Sequence, residues 1–214
     1  MNDVIFNNDK SAYDDWNIVL TGADVPLPVP KTATVNIMGA DGIIDLSEVL
    51  TGDVTYNNRV ITLNFDMMDD TEYHKLITDV ANYLHGKNVT VRFNNDEEFY
   101  YIGRASINKW ECVKRIGKIV IHVDCDPYKY RVNETVVRVK LNNEVKGVTL
   151  LNLRKRVSPT LDASGNVKMT FNGVEYALTT GKQQLLNFVL TEDKNYVSFS
   201  GTGTVTIKYR QGAL

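Results

Sequence analysis

Cysteine is scarce in this chain: Cys112 and Cys125 are the two in 214 residues. They form no CxxC pattern, so a disulfide framework and a thiolate metal site are both disfavoured. They flank an expected hairpin, and a reducing compartment predicts two buried thiols. An excess of charge of one sign is also missing. Lys and Arg total 24 against 26 Asp and Glu, for a formal charge of -2 and a pI near 5.9. No surplus of cations remains to neutralise a phosphate backbone, and Arg154-Lys155-Arg156 is too short a basic run to supply one. Long apolar runs are lacking too. Residues 1–20 carry Asp3, Asp9, Asp14 and Asp15, which argues against a signal peptide or a membrane span there. The expectation is a chain made and kept soluble in a cytoplasm, where the sequons at Asn88 and Asn133 carry no sugar.

Catalytic chemistry is just as thinly represented. Of the three histidines, His74 and His85 fall on nearly one face of an expected helix, but three turns separate them by about 16 Å, too far to share a metal. His122 lies on the polar face of a strand. Serine nucleophile motifs, phosphate-binding glycine loops and HExxH are absent, and neither cysteine lies in an electropositive motif. Carboxylates are common, but Glu97-Glu98 reads as a solvated turn tip rather than half of an acid pair. Asp41 and Asp45 lack the Asp-x-Asp-x-Asp series of a calcium loop. No catalytic, cofactor-binding or metal-ligating residue is expected, and no enzyme.

What is present is enough to fold. A hydrophobic share of 43% over 214 residues supports one large or two small cores. Trp16–Leu20 and Thr34–Met38 are strand candidates, separated by Val25–Pro30 (VPLPVP), a stiff extended connector or edge. One helix is expected from about Asp70 to His85. Asp69 and Glu72 have the spacing of a capping box, Tyr73, Leu76, Ile77, Val80 and Leu84 form an apolar stripe, and Gly86 ends it. Strict alternation then marks Val89–Phe93, Phe99–Ile107 and Ile119–Cys125 as half-buried antiparallel strands, with a turn at Arg115–Lys118. A boundary is expected inside Val132–Lys146, giving domains 1–135 and 136–214. The second is all strand and turn: Pro159–Ala163, then Val167–Phe171 and Val174–Leu178 joined by Asn172-Gly173, then Leu185–Leu190, Tyr196–Phe199 and Thr204–Tyr209. Gly201 and Gly203 are expected to turn the last pair.

The segment Gly39–Phe65, GADGIIDLSEVLTGDVTYNNRVITLNF, stands apart. Asp41-Gly42 and Thr51-Gly52-Asp53 are turns, and Ile43, Ile44, Leu46, Val49 and Leu50 lie between them. Apolar residues fall on even positions at Val54 and Tyr56 but on odd positions from Ile61, so a bulge or turn is needed near Asn57–Val60. Arg59 near Tyr56 is placed to pair with Glu48 or Asp45. Such a surface pair contributes little stability but can fix an interface.

That segment, followed by one helix ending in HGK, then FNNDEEFYYIGRA and DCDPYKY, resembles distal tail proteins (the Dit family) of long-tailed, siphovirus-type phages of Gram-positive bacteria. The ordered set covers most of residues 32–130, and PTLDASGNVKMTFNG and GTGTVTIKYR extend it into the second half. The resemblance implies a mainly β fold: an N-terminal β-sandwich with one helix and an extended hairpin, followed by a small galectin-like or carbohydrate-module-like β-sandwich. It implies a virion structural protein at the tail tip, from a free phage or a prophage, with no cofactor. As a homohexameric ring it would join the tail tube protein to the tail-associated tip or lysin protein, near receptor-binding proteins, and let DNA pass without gripping it. A ring needs two complementary patches per subunit. The candidates are Asp41, Asp45, Glu48, Tyr56 and Arg59 on one segment, and Asn94, Asn95, Asp96 and Glu97 on a polar hairpin. The alternative reading is a carbohydrate-binding module that contacts the host cell wall through its C-terminal sandwich. Residues 147–214 contain neither tryptophan nor histidine, so the stacking platform of a galectin-like site is missing there; Tyr176, Tyr196 and Tyr209 remain as weaker candidates, with core filling the favoured use of most aromatics.

Overall fold

The computed structural model describes residues 3–67, 73–113 and 116–214. It is mainly β, 57% strand and 6% helix, and divides into two compact units, Met1–Lys129 and Tyr130–Leu214. The strand β11, which starts at Thr135, belongs to the second unit.

The first unit contains β1 (Val4–Phe6), β2 (Lys10–Ser11), β3 (Ile18–Asp24), β4 (Thr34–Val35), β5 (Ile44–Asp45), β6 (Arg59–Met67), α1 (Tyr73–Leu84), β7 (Asn88–Phe93), β8 (Phe99–Val113) and β9 (Ile116–Cys125). Antiparallel pairing runs in the order β2-β1-β7-β8-β9-β6-β3. The alternation of the sequence sets the register. Ile61, Leu63 and Phe65 of β6 lie opposite Val123, Ile121 and Ile119 of β9, and all six are buried. Each such aliphatic or aromatic side chain contributes on the order of 1.5–3 kcal/mol, and a one-residue slip would turn the whole set to solvent.

The helix packs on this core through Ile77, Val80 and Leu84. Trp16 fills the space between them and the N-terminal strand, 5.8 Å from the Phe6 ring and 5.4 Å edge-on to Tyr83. His85 uses its Nδ1 to accept a hydrogen bond from the Ile107 amide at 3.0 Å. The expected start of the helix and its capping pair, Asp69 and Glu72, lie outside the described residues, as does Arg115 of the expected turn. Both cysteines are free. Cys125 is buried as expected, but Cys112 is exposed, because it sits where the β8–β9 hairpin runs beyond the core.

After β10 (Lys129–Arg131), which spans the division, come β11 (Thr135–Asn142), β12 (Lys146–Asn152), β13 (Thr160–Phe171), β14 (Val174–Leu178), β15 (Gly181–Gln184), β16 (Asp193–Tyr209) and β17 (Gly212–Ala213). Asn172-Gly173 joins β13 to β14 with φ of 49° and 78°, the pair of positive angles that a two-residue hairpin turn requires. Gly201 and Gly203 do not turn a hairpin. They lie inside β16, which runs unbroken from Asp193 to Tyr209. Its first part pairs with β12 and its second with β11, while β13 follows it across the crossing. At that crossing Gly165 faces Gly203 and Val167 faces Gly201. A Cβ on Gly203 would overlap the Ser164 carbonyl oxygen, and one on Gly201 that of Asn166. The glycines are needed because two backbones meet there. One pair of long bent strands thus serves both halves of the sandwich and encloses Phe188, Phe199, Met169 and Ile207. Leu185–Leu190 is not a strand; Leu190 makes one isolated bridge to Val157.

Candidate interaction arm

Between β3 and β6 the chain runs outside the seven-strand path. At the base of this arm the Asn57 amide donates to the Val29 carbonyl at 2.9 Å, the Lys31 amide donates to the Thr55 carbonyl at 2.8 Å, and Pro30 bridges Tyr56. The phase change in the sequence is the junction between this base and β6, which starts only at Arg59. Farther out, Thr34 pairs with Asp45 and Val35 with Ile44. Asp45 Oδ1 accepts from both the amide (2.8 Å) and the hydroxyl of Ser47, and Ser47 Oγ accepts from the Ala33 amide at 2.9 Å. These bonds hold the Asp45 carboxyl below its ordinary value. Gly39, Gly42 and Gly52 take φ of 87°, 79° and 64° at the turns.

Residues 31–52 are all exposed except half-buried Ser47. Met38 is 99% exposed, Leu50 96%, Val49 69% and Ile43 66%. A run of apolar side chains in water on one segment, beside a well-packed core, is the mark of a surface that another molecule covers. The sequence reading picked out the charged residues here. The stronger signal was the apolar set between the two turns, Ile43, Ile44, Leu46, Val49 and Leu50.

Asp41, Asp45 and Glu48 are exposed along the arm. Tyr56 is half-buried, edge-on to Tyr128 at 5.9 Å. Arg59 differs from expectation, because it faces inward. It is 4% exposed, lies over the Tyr101 ring, and donates from Nη1 to the Pro26 carbonyl at 3.4 Å. Its position is the first inward one of β6, so it does not meet Glu48 or Asp45 on the surface. The second candidate patch is partly used inside the unit. Asn94 exchanges hydrogen bonds with the Asp3 backbone at 3.0 and 3.1 Å, and Asp96 pairs with Lys129 at 2.8 Å. Asn95 and Glu97 stay exposed. Asn95 and Asp96 rim a cavity of about 570 Å³ that Leu20, Val25, Phe93 and Tyr101 line with apolar surface.

Among the described residues, no three of His, Cys, Asp and Glu converge on a metal position. No helix among them is long and apolar enough to cross a membrane.

No protein-family model and no curated protein sequence matches the chain. In structure it is similar to the SPP1 Dit (gp 19.1) protein, a paradigm of the hub adsorption apparatus in phages that infect Gram-positive bacteria. The two superpose with a TM-score of 0.72 at 14% sequence identity, over 98% of this chain and 99% of that one. The likeness extends through both units, so the chain has the fold of that protein from end to end.

Proposed function

We propose that this protein is a structural component of a phage tail tip, a hub subunit that assembles with copies of itself. The observation that carries the reading is the apolar arm on a chain with the fold of a hub protein. Residues such as Met38 and Leu50 stay in water only at a cost of roughly 1.5–3 kcal/mol each relative to burial. Burial against a neighbouring subunit recovers it.

The assembly we infer is a homohexameric ring that joins the tail tube to the tip or fibre protein, with DNA passing through. In a closed ring each contact is head-to-tail, so one copy's arm meets a different surface on the next. The arm, with Asp41, Asp45 and Glu48 on it, is one partner. The face around Asn95, Glu97 and the adjoining apolar cavity is the other. Acidic side chains on the arm orient the contact, and its apolar residues supply the affinity. Tyr56, at the base of the arm, fixes the angle at which it leaves. The role requires no catalysis.

Native mass spectrometry with negative-stain microscopy of the full chain tests this. Rings are expected for the wild type, and monomers with unchanged far-UV circular dichroism for the double variant Met38→Asp, Leu50→Asp. A wild type that stays monomeric at high concentration, alone and with its tube and tip partners, overturns the reading.

A further inference from the structure

We propose that the second unit binds a linear phosphate polyanion without bases on the outer face of its β11-β16-β13-β15 sheet. The near-neutral total of the chain conceals a division of charge between the two units. Residues 1–129 hold 12 Lys and Arg against 20 Asp and Glu, whereas residues 130–214 hold 12 against 6. The second unit therefore has a formal charge of +6, and such asymmetry between halves points to an anionic partner.

The pairing register collects the unpaired part of that charge on one face. Several cations elsewhere in the unit are matched: Lys146 lies 2.8 Å from Glu144, Lys168 2.7 Å from Glu175, and Arg154 3.6 Å from Glu192. Among the described residues, no carboxylate pairs with Arg138, Lys140, Lys182 or Lys208. Val139 and Leu141 of β11 are buried, so the pleat turns Arg138 and Lys140 outward. Opposite them on β16 stand Thr206 and Thr204, and Lys208 follows one step along the same side. β13 continues these rows with Asp162, Ser164 and Thr160 respectively, and β15 adds Lys182 opposite Asp162. Arg138, Lys140 and Lys182 are exposed and Lys208 is half-buried. One sheet face thus presents four cations against one carboxylate, with hydroxyls between them.

This set matches phosphate. Lysine and arginine neutralise its charge, and serine and threonine hydroxyls donate to the oxygens that remain. The Ser164 and Thr204 hydroxyls share one hydrogen bond at 2.7 Å, which leaves one proton of the pair to donate outward. Arg138 and Lys140 are about 6.8 Å apart along β11, close to the step between successive phosphates of an extended chain. Other anionic partners need something the face lacks. Nucleobases stack on aromatic rings, and none of these rows holds one. A lipid surface is gripped by apolar or aromatic side chains that enter it, and a stable protein interface buries about 800 Å² per partner around an apolar centre. Val136, at the margin, is the one apolar side chain in these rows. The site rests on the second unit alone and does not depend on ring formation.

Fluorescence anisotropy of end-labelled inorganic polyphosphate, titrated with the full chain, tests it. Binding is expected at about 50 mM NaCl and should weaken by about fiftyfold at about 200 mM, the salt response of four phosphate contacts on a single chain. Arg138→Gln with Lys140→Gln should weaken it by about tenfold or more at the lower salt and roughly halve the salt slope. Lys168→Gln with Lys194→Gln removes the same charge from the half paired with β12 and β14 and should change the affinity by less than about twofold. All four residues are exposed, so both double variants are expected to melt with the wild type. Absence of binding at the lower salt, equal losses in the two double variants, or tighter binding of poly-L-glutamate or oligothymidylate than of polyphosphate overturns the proposal.

Discussion

The Arg59 guanidinium carbon sits 4.8 Å from the centre of the Tyr101 ring, inside the first unit. Among the described residues, Arg59 Nε and Nη2 are buried with no hydrogen-bond acceptor, and burial pushes the guanidinium pKa down. The ring face and the Pro26 carbonyl compensate that cation only in part. Arg59→Met keeps the packing of the stem and removes the orphan donors, and should hold or raise stability by about 1 kcal/mol. Arg59→Ala opens a cavity and should cost about 2 kcal/mol. Urea unfolding midpoints decide between them. If Arg59→Met is the worse variant, the contacts to Tyr101 and Pro26 outweigh the cost of burying the charge.

The Asp45 turn on the arm should respond to acid. Its carboxyl titrates below the ordinary 3.8, first because the Ser47 hydroxyl donates to it and then because the Ser47 amide does. A depressed carboxylate contributes order that is fully present above the unfolded value and is lost as pH falls through the folded one. The Ser47 amide should therefore shift, and lose protection relative to its intrinsic exchange rate, only below about pH 4, and Asp45→Asn should show that loss of protection already at neutral pH. An amide signal that is flat down to pH 2.5 would refute this.

The two thiols should separate cleanly by reactivity. Burial pushes the Cys125 thiol up to about 12, so it is protonated at neutral pH and shielded from reagents, while Cys112 is exposed. A chromogenic disulfide reagent should titrate one thiol in the native chain and two in denaturant. Cys112→Ser should abolish the native reaction. Two fast thiols in the folded wild type would show that the first unit opens readily around Cys125.

Gly203 should be intolerant of any side chain. Its φ is +147°, and a Cβ there would overlap the Ser164 carbonyl oxygen. Gly203→Ala is expected to cost more than about 3 kcal/mol or to prevent the second unit from folding. Gly173→Ala, with open space around it, should cost about 1 kcal/mol from its positive φ alone. Calorimetry that ranks the two alike would discount the strand crossing as the reason for Gly203.

Alternation was sufficient to read β6, β7 and β9, because each has one face on the core and the other in water. The Tyr73, Ile77, Val80 and Leu84 stripe was sufficient for the helix. Alternation could not show that β13 and β16 each continue through glycines, since Gly165, Gly201 and Gly203 look the same whether they reverse a chain or let two strands touch. Only the partner strand decides. Arg59 was misread for a related reason: charge argues for the surface, but its position in β6 is in phase with Ile61, Leu63 and Phe65, and phase prevailed. On the arm, the turns were legible from Asp41-Gly42 and Thr51-Gly52. The exposure of Met38 and Leu50 was not, because burial depends on what folds over a segment. Tyr196 was one of three tyrosines until the structure left it 68% exposed and put Tyr209 in the core.

Because β16 pairs with β11, β12 and β13, the strand at the centre of the second sandwich is synthesised after all three of its partners. On the ribosome β13 can already pair with β14 and β15, but β11 and β12 have no partner strand until β16 has emerged, so the unit should close late, when its last long strand arrives. A chain terminated before residue 193 would then carry β11 and β12 without their partner strand beside a β13-β14-β15 sheet, with no second sandwich, and would be cleared by proteolysis before it could enter an assembly.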